Sequence, residues 1–493
     1  MIRNRLKTLS IAVVAAAIAA CSGGGGGGGG VGVAGIERLG VSTGVVTGFG
    51  SIFVNEQEIG TLGSDFLIDD SPGSEDDLEV GDVVIVSFDP DTATPNAATV
   101  FSNEIVEGPI DSINATQSQL VVAGQTVLVD GDTSFDDSIS PASLDGLSQG
   151  QFVEISGLFD ANGVIRATRI EPGLGQVEVH GTITNLDNGA QTFTINALVV
   201  DFGTVPAIID NLPGGLANGQ FVEVKGTNFG GGGELLATKV EADAIGVAAD
   251  DRIDFDDFDE IEAEVEGFIT RFVSATDFDV NDTPVTTTAQ TVYEFEDDTP
   301  ATPADLGLNI KVEVEGDVNA QGVLVADKVD IRRGSAVRIT ALVDNANGAT
   351  GIVTLLGIDV RVDAATRIED KWLDVEPFGV GDINAGDYVE VRGTEDVNGA
   401  GDVLASRLER DDPPNVPGED TELQGFVTAV SQPSFTILGV TIQTNGGTVF
   451  RDVNDNIIPA ATFFSQADGR LVSVNGFESA QTVIDADEVE LDN

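Results

Sequence analysis

The chain has 493 residues, with 83 Asp and Glu against 23 Lys and Arg, a formal net charge of −60, one cysteine and one histidine. A polymer this acidic repels polyanions at every distance that salt leaves unscreened, which excludes nucleic acid as a partner. Hydrophobic residues make up 41% of it, more than an acidic disordered tail carries, so it can bury cores; the lone cysteine excludes disulfides and thiolate metal sites within one chain.

Arg3, Arg5 and Lys7 precede an apolar stretch, Leu9 to Ala19, that is too short to span a bilayer. Ile18, Ala19, Ala20 and Cys21 close it with an apolar residue, two small residues and the cysteine. This pattern resembles the lipobox of bacterial lipoproteins, which implies cleavage before Cys21, acylation of its thiol and amine, and membrane attachment through that residue. Ser22 follows where an aspartate would resemble an inner-membrane retention signal, so the expected address is the outer membrane, facing the periplasm or the surface. Residues 1–20 are thus read as a signal peptide and 21–40 as a Gly-rich tether, whose r.m.s. span would be roughly 20–25 Å. Loss of residues 1–20 removes three basic residues and no acid, taking the side-chain charge to about −63.

Beyond residue 40 one β-rich unit recurs about six times. Its mark is a strand such as Gly150-Gln-Phe-Val-Glu-Ile-Ser-Gly157, repeated from Gly219, Asn309 and Gly386 and less closely from Gly81 and Gly469. Apolar residues alternate with polar ones, as in a strand with one buried face, and Gly or Asn at the first position predicts entry from a left-handed turn. A second strand follows, ending in Ala167-Thr-Arg-Ile-Glu171 or its counterparts. Its apolar positions step by two and then by three, which predicts a β-bulge. The bulge should bring Arg169, Lys239, Lys328 and Arg407 opposite Glu154, Glu223, Glu313 and Glu390 as cross-strand ion pairs.

Each unit opens with a strand of the Gly181-Thr-Ile-Thr type, continues through a hairpin, and has a short Thr-x-aromatic or Thr-x-aliphatic piece such as Thr291-Val-Tyr293, Thr366-Arg-Ile368 or Thr448-Val-Phe450. Five or six short strands without an amphipathic helix predict an all-β chain, a tandem array of small OB- or SH3-like barrels. The expected units are 41–105, 106–171, 176–241, 262–330, 335–410 and 421–493, with an acidic insert at 242–261 and a Pro-rich linker at 411–420. Units with separate cores would unfold in more than one step.

The Glu-Gly-x-Ile-Thr opening, the Gly-x-x-Val-Glu-Val-x-Gly strand and the Val-Leu-x-Ala-x-Lys-Val-Asp ending together resemble a family of bacterial lipoproteins built from tandem copies of a small β-rich domain of unknown function. The resemblance covers nearly all of residues 41–493 and brings no catalytic residue with it.

The remaining motifs read as structure. Gly146-Leu-Ser-Gln-Gly150 has nucleophile-elbow spacing, but a strand follows it where that motif needs a helix. The one histidine, His180, stands where sister units carry Glu107 and Glu266, and reads as an exposed strand residue. Gly30 to Gly35 matches a dinucleotide-loop spacing, but it lies in the tether with no strand before it. The turns from Asp317 and Asp396 begin like calcium loops but hold Lys328 and Arg407 at the twelfth position. Carboxylate clusters at Asp69–Asp77 and Asp250–Glu264 read as solvated loops and no cofactor is expected; Asp254, Asp256, Asp257 and Asp259 are the candidate ligands under the alternative that Ca²⁺ binds. The expected function is a non-enzymatic, lipid-anchored scaffold, spacer or binding surface of the envelope. The alternative is a module that binds a glycan, a peptide or Ca²⁺, with an envelope protein or glycan as partner.

Overall fold

The second unit shows how the sequence makes one barrel. Val106–Asn114 turns into Gln119–Val122, which turns into Gln125–Leu128; Phe152–Phe159 and Ile165–Pro172 form a second hairpin. The third strand pairs with the fifth in parallel, the fifth with the fourth, and the fourth returns to the first, so the order is 1-2-3-5-4-1 and the sheet closes on itself. This computed structural model describes residues 38–492 apart from 70, 93–94, 244–259, 297–298, 333–335, 374, 376, 397–401, 417, 419 and 454–455.

The same order recurs in all six units. It is a five-stranded Greek-key barrel with strands 3 and 5 parallel, the OB arrangement and not the SH3 one. The first barrel, from Arg38–Gly48 to Ala97–Ser102, closes between strands 3 and 5 through a Gly60–Asn96 bridge. One short α-helix occurs among the described residues, Ala460–Phe464 in the sixth barrel.

Two expectations about the motif hold in detail. The residues that open the fourth strand have positive φ: +84° at Gly150, +90° at Gly219, +64° at Asn309 and +92° at Gly386. The fifth strand carries its bulge opposite the glycine that closes the motif, so Ser156 faces Arg169 and Gly157 faces Ala167. The bulged chain comes so close that a Cβ on Gly393 would lie 2.0 Å from the Leu404 carbonyl oxygen.

The bulge also explains the threonine of the Thr-x-aromatic piece. That piece lies parallel to the fifth strand, and its hydroxyl donates to the carbonyl of the alanine at the bulge: Thr133 to Ala167 (2.8 Å), Thr291 to Ala326 (2.7 Å), Thr366 to Ala405 (2.8 Å) and Thr448 to Ala486 (2.7 Å). A buried carbonyl outside the ladder needs such a partner.

Of the expected cross-strand ion pairs, the one between Arg407 and Glu390 forms, at 2.8 Å. The other basic residues pair along their own strand, Arg169 with Glu171 at 3.1 Å, Lys328 with Asp330 at 2.7 Å, and Lys239 with Glu241. The register places the basic residue diagonally from the glutamate in both barrels, Arg169 opposite Ser156 and Arg407 opposite Arg392, so the side chain can turn either to that glutamate or to the acid two residues along its own strand.

The barrels are joined by their first strands. Arg38–Gly48 runs parallel to Glu260–Ser274, which links the first barrel to the fourth across two intervening units. Val106–Asn114 pairs with Val177–Thr182, and Val337–Asn347 with Thr421–Ser431, linking second to third and fifth to sixth. One buried apolar cluster spans the second and third barrels, and another the fifth and sixth. The described residues form one compact body.

Candidate functional site

Polar strand faces that alternation would assign to water face other barrels. Arg169, buried, donates to the Val80 carbonyl of the first barrel at 3.2 Å. Arg407 donates to Thr133 O at 2.6 Å, Lys371 to Phe135 O at 2.7 Å, and Arg367 to Thr168 O at 3.2 Å, fixing the fifth barrel on the second. The stretch Leu174 to Gln176 between the second and third barrels is held by three backbone N–H groups on the Glu107 carboxylate, at 2.9, 3.1 and 3.3 Å.

Clefts open where barrels meet, and two of them are each lined by four barrels. The more charged one, about 90 Å³, lies among the first, second, fourth and fifth barrels and holds Lys311, Arg332 and Arg367 beside Glu266, Glu313 and Asp363. Its charges are spent on each other: Lys311 pairs with Glu266, and Arg332 with Glu313 and, at 3.1 Å, Glu56. Glu266 is held down at about 2; burial opposes this and Lys311 outweighs it.

The other cleft, about 100 Å³, lies among the first four barrels. Phe101, Phe159 and Phe221 line it, with Phe159 and Phe221 edge to face at 5.8 Å. Its polar lining includes Thr43, Glu104, His180 and Asp243. Burial, then contact with the Asp69 carboxyl, pushes Glu104 up to about 11.

His180 corrects its sequence reading, since it is buried and not exposed. Its Nδ1 is 2.7 Å from Asp243 and its Nε2 3.1 Å from Glu178. Burial opposes the imidazolium, and these two carboxylates overcome it, raising the group to about 10. Glu178, His180 and Glu223 have ligand atoms within 4.8 Å of one another, as a metal site would. The Lys225 ammonium already lies 2.9 Å from Glu178 and 3.1 Å from Glu223, and a metal-bound imidazole would have to give up its proton. The arrangement is a charge cluster that locks the third barrel's first strand to its fourth. Sequence alone marked His180 as a substitution at the Glu107 position, but not the surroundings that bury it.

Cys21 and the candidate calcium ligands Asp254, Asp256, Asp257 and Asp259 lie outside the described residues. Ser148 lies in an exposed turn, where its amide donates to Gln151 Oε1 at 3.1 Å. The Asp317 loop is a hairpin turn: Asn319 Oδ1 accepts from Gln321 N and Val323 N at 2.9 and 3.2 Å.

Closed five-stranded barrels repeated in tandem, with charged faces turned on one another, define a multi-barrel β-repeat protein. A family model described as a domain of unknown function, DUF5666, matches residues 107–171, 180–241, 266–330, 338–409 and 424–490. These segments are more than half of the sequence, and the chain belongs to that family. The first barrel lies outside the matched segments yet has the same strand order. No curated protein matches the chain.

Proposed function

We propose that the chain is a non-enzymatic lipoprotein of the bacterial envelope, held at the outer membrane by acylated Cys21, whose barrels form a rigid scaffold at the end of a glycine tether. The observation that carries this reading is the use of the barrels' charged faces as barrel-to-barrel contacts. Arg169, Arg367, Lys371 and Arg407 all donate to backbone carbonyls of another barrel. Cations are few, with 23 Lys and Arg in the whole sequence, and these four are used in contacts between barrels. The surface they leave is acidic and suits a solvated spacer or a platform for an envelope protein or glycan.

The anchor is tested by expressing Cys21→Ala and separating soluble from detergent-extracted fractions. The wild-type chain is expected to need detergent and the variant to be released in aqueous buffer. A variant that still needs detergent would place the attachment elsewhere.

A further inference from the structure

We propose that the trough where the first and fourth barrels meet along their parallel strand pair binds a linear polyamine, with Glu56, Glu262 and Glu315 as its counter-charges and the side-chain oxygens of Asn55 and Gln57 as acceptors. This goes beyond the scaffold reading and does not depend on it.

Three observations converge. The first is the space: the trough measures about 340 Å³ and is lined by Asn55, Glu56 and Gln57 of the first barrel and by Glu262, Glu264, Glu313 and Glu315 of the fourth. The second is an excess of acid over the cations that reach it. Arg332 serves both Glu313 and, at 3.1 Å, Glu56, and Arg38 serves Glu262 at 2.8 Å, Asp91 at 3.0 Å and Glu260 at 3.3 Å. Lys328 lines the trough but is bound to Asp330 at 2.7 Å and lies 3.6 Å from Glu294. Glu264 stands directly opposite Glu315, a like pair that costs stability. Burial, then the Glu313 and Glu315 carboxyls, push Glu264 well above the usual carboxylate range, so it is a neutral acid and is left out of the count. Glu315 is raised as well, by burial and then by the charge of Glu262, and an ammonium between the two would remove that repulsion. The third observation is a pair of unused acceptors. Asn55 is 6% exposed, its Nδ2 is fixed on Ser42 Oγ at 2.9 Å and Thr43 O at 3.1 Å, and its Oδ1 has no partner; Gln57 Oε1 has none either. Buried acceptors left unpaired are costly, and a ligand N–H would satisfy them.

These features select the ligand class. The unsatisfied groups are acids and acceptors, so the ligand is a cation rich in N–H donors, and an anion is repelled. A Ca²⁺ ion gathers six to eight oxygens around one point. The trough's carboxylates are not gathered in that way: among the described residues, the ligand atoms that converge are those of Glu178, His180 and Glu223. Charges spread along a trough suit ammonium groups spread along a chain. The methylenes between them would lie on Val41, Phe88, Pro90 and Ala263, the apolar part of the lining.

Titration calorimetry on the full chain in a maltoside detergent tests this, with spermidine as the probe and butylamine, which carries a single ammonium, as control. Spermidine is expected to bind about tenfold or more tightly than butylamine, and Glu315→Gln to lose about tenfold in affinity. Gln57→Leu removes one acceptor and should also weaken binding; it decides the matter if Glu315→Gln does not fold. Asp468→Asn removes an exposed carboxylate of the sixth barrel and should leave binding unchanged. Lysine side chains of a partner share this chemistry, and trilysine separates the sources: weaker binding than spermidine supports a free polyamine, and equal or tighter binding overturns it. The proposal is also overturned if spermidine gives no heat beyond NaCl of matched ionic strength, if butylamine binds as tightly, if the trough variant that folds weakens binding no more than Asp468→Asn does, or if Ca²⁺ displaces spermidine at equal concentration.

Discussion

His180 and its surroundings tie stability to pH. Its folded-state value is about 10, above the 6.5 of a free imidazole, so its contribution is full below about pH 6.5 and is lost as pH rises toward 10. Burial and a neighbouring carboxyl raise Glu154 to about 8; burial raises Asp411 and Glu79 to about 7 each. For these acids too the folded state binds more protons than the unfolded one, so they favour folding at about pH 4.5 and less as pH climbs to 8. Glu266, held near 2, works the other way and loses its contribution as pH falls below about 4.5. Urea unfolding between pH 4 and 10 should therefore give maximal stability near pH 5 and a steady decline above it. His180→Gln should flatten the decline between pH 6.5 and 10; an unchanged slope in the variant would mean that His180 is not charged in the folded protein.

The hairpin of strands 4 and 5 was the most legible element, because its geometry is written in local spacing. A turn that needs positive φ calls for Gly150 or Asn309, and one extra residue shifts the apolar period from two to three at Ala326 and Val329. Partners were less legible. Alternation says that Glu154 and Arg169 share the polar side of their sheet; it does not say whether water or another barrel covers that side, nor which of the two residues an ion pair will use. The closing glycine and the threonine both serve the bulge, so they should fail together. Gly393→Ala must push against the Leu404 carbonyl, and Thr366→Val removes the hydroxyl that serves the Ala405 carbonyl. Each is expected to cost about 1–3 kcal/mol in chemical unfolding, the first through overpacking and the second through an unsatisfied buried acceptor. A neutral outcome for Gly393→Ala would mean that the bulge relaxes away from strand 4.

At the scale of the whole molecule, the array departs from a string of beads. Repeat proteins usually contact only their sequence neighbours, which makes stability a sum along the chain. Here the first and fourth barrels share a parallel strand pair, Gly40 beside Glu262 and Val41 beside Ala263, although two barrels separate them in sequence. No local pattern announces this pairing, because it depends on which barrel edges meet after each unit has closed. The apolar cluster that runs from Val337 through Leu423 to Leu491 makes the fifth and sixth barrels one core. Cooperative units should therefore be pairs of barrels, and calorimetry should resolve at most three transitions where six separate cores would allow six. Leu423, fully buried in the shared core, provides the test. Leu423→Ala should cost about 2–5 kcal/mol and lower one transition whose enthalpy is that of two barrels. If the variant shifts a transition with the enthalpy of one barrel alone, the fifth barrel holds its structure without the sixth, and the shared strand pair is only a contact between independent modules.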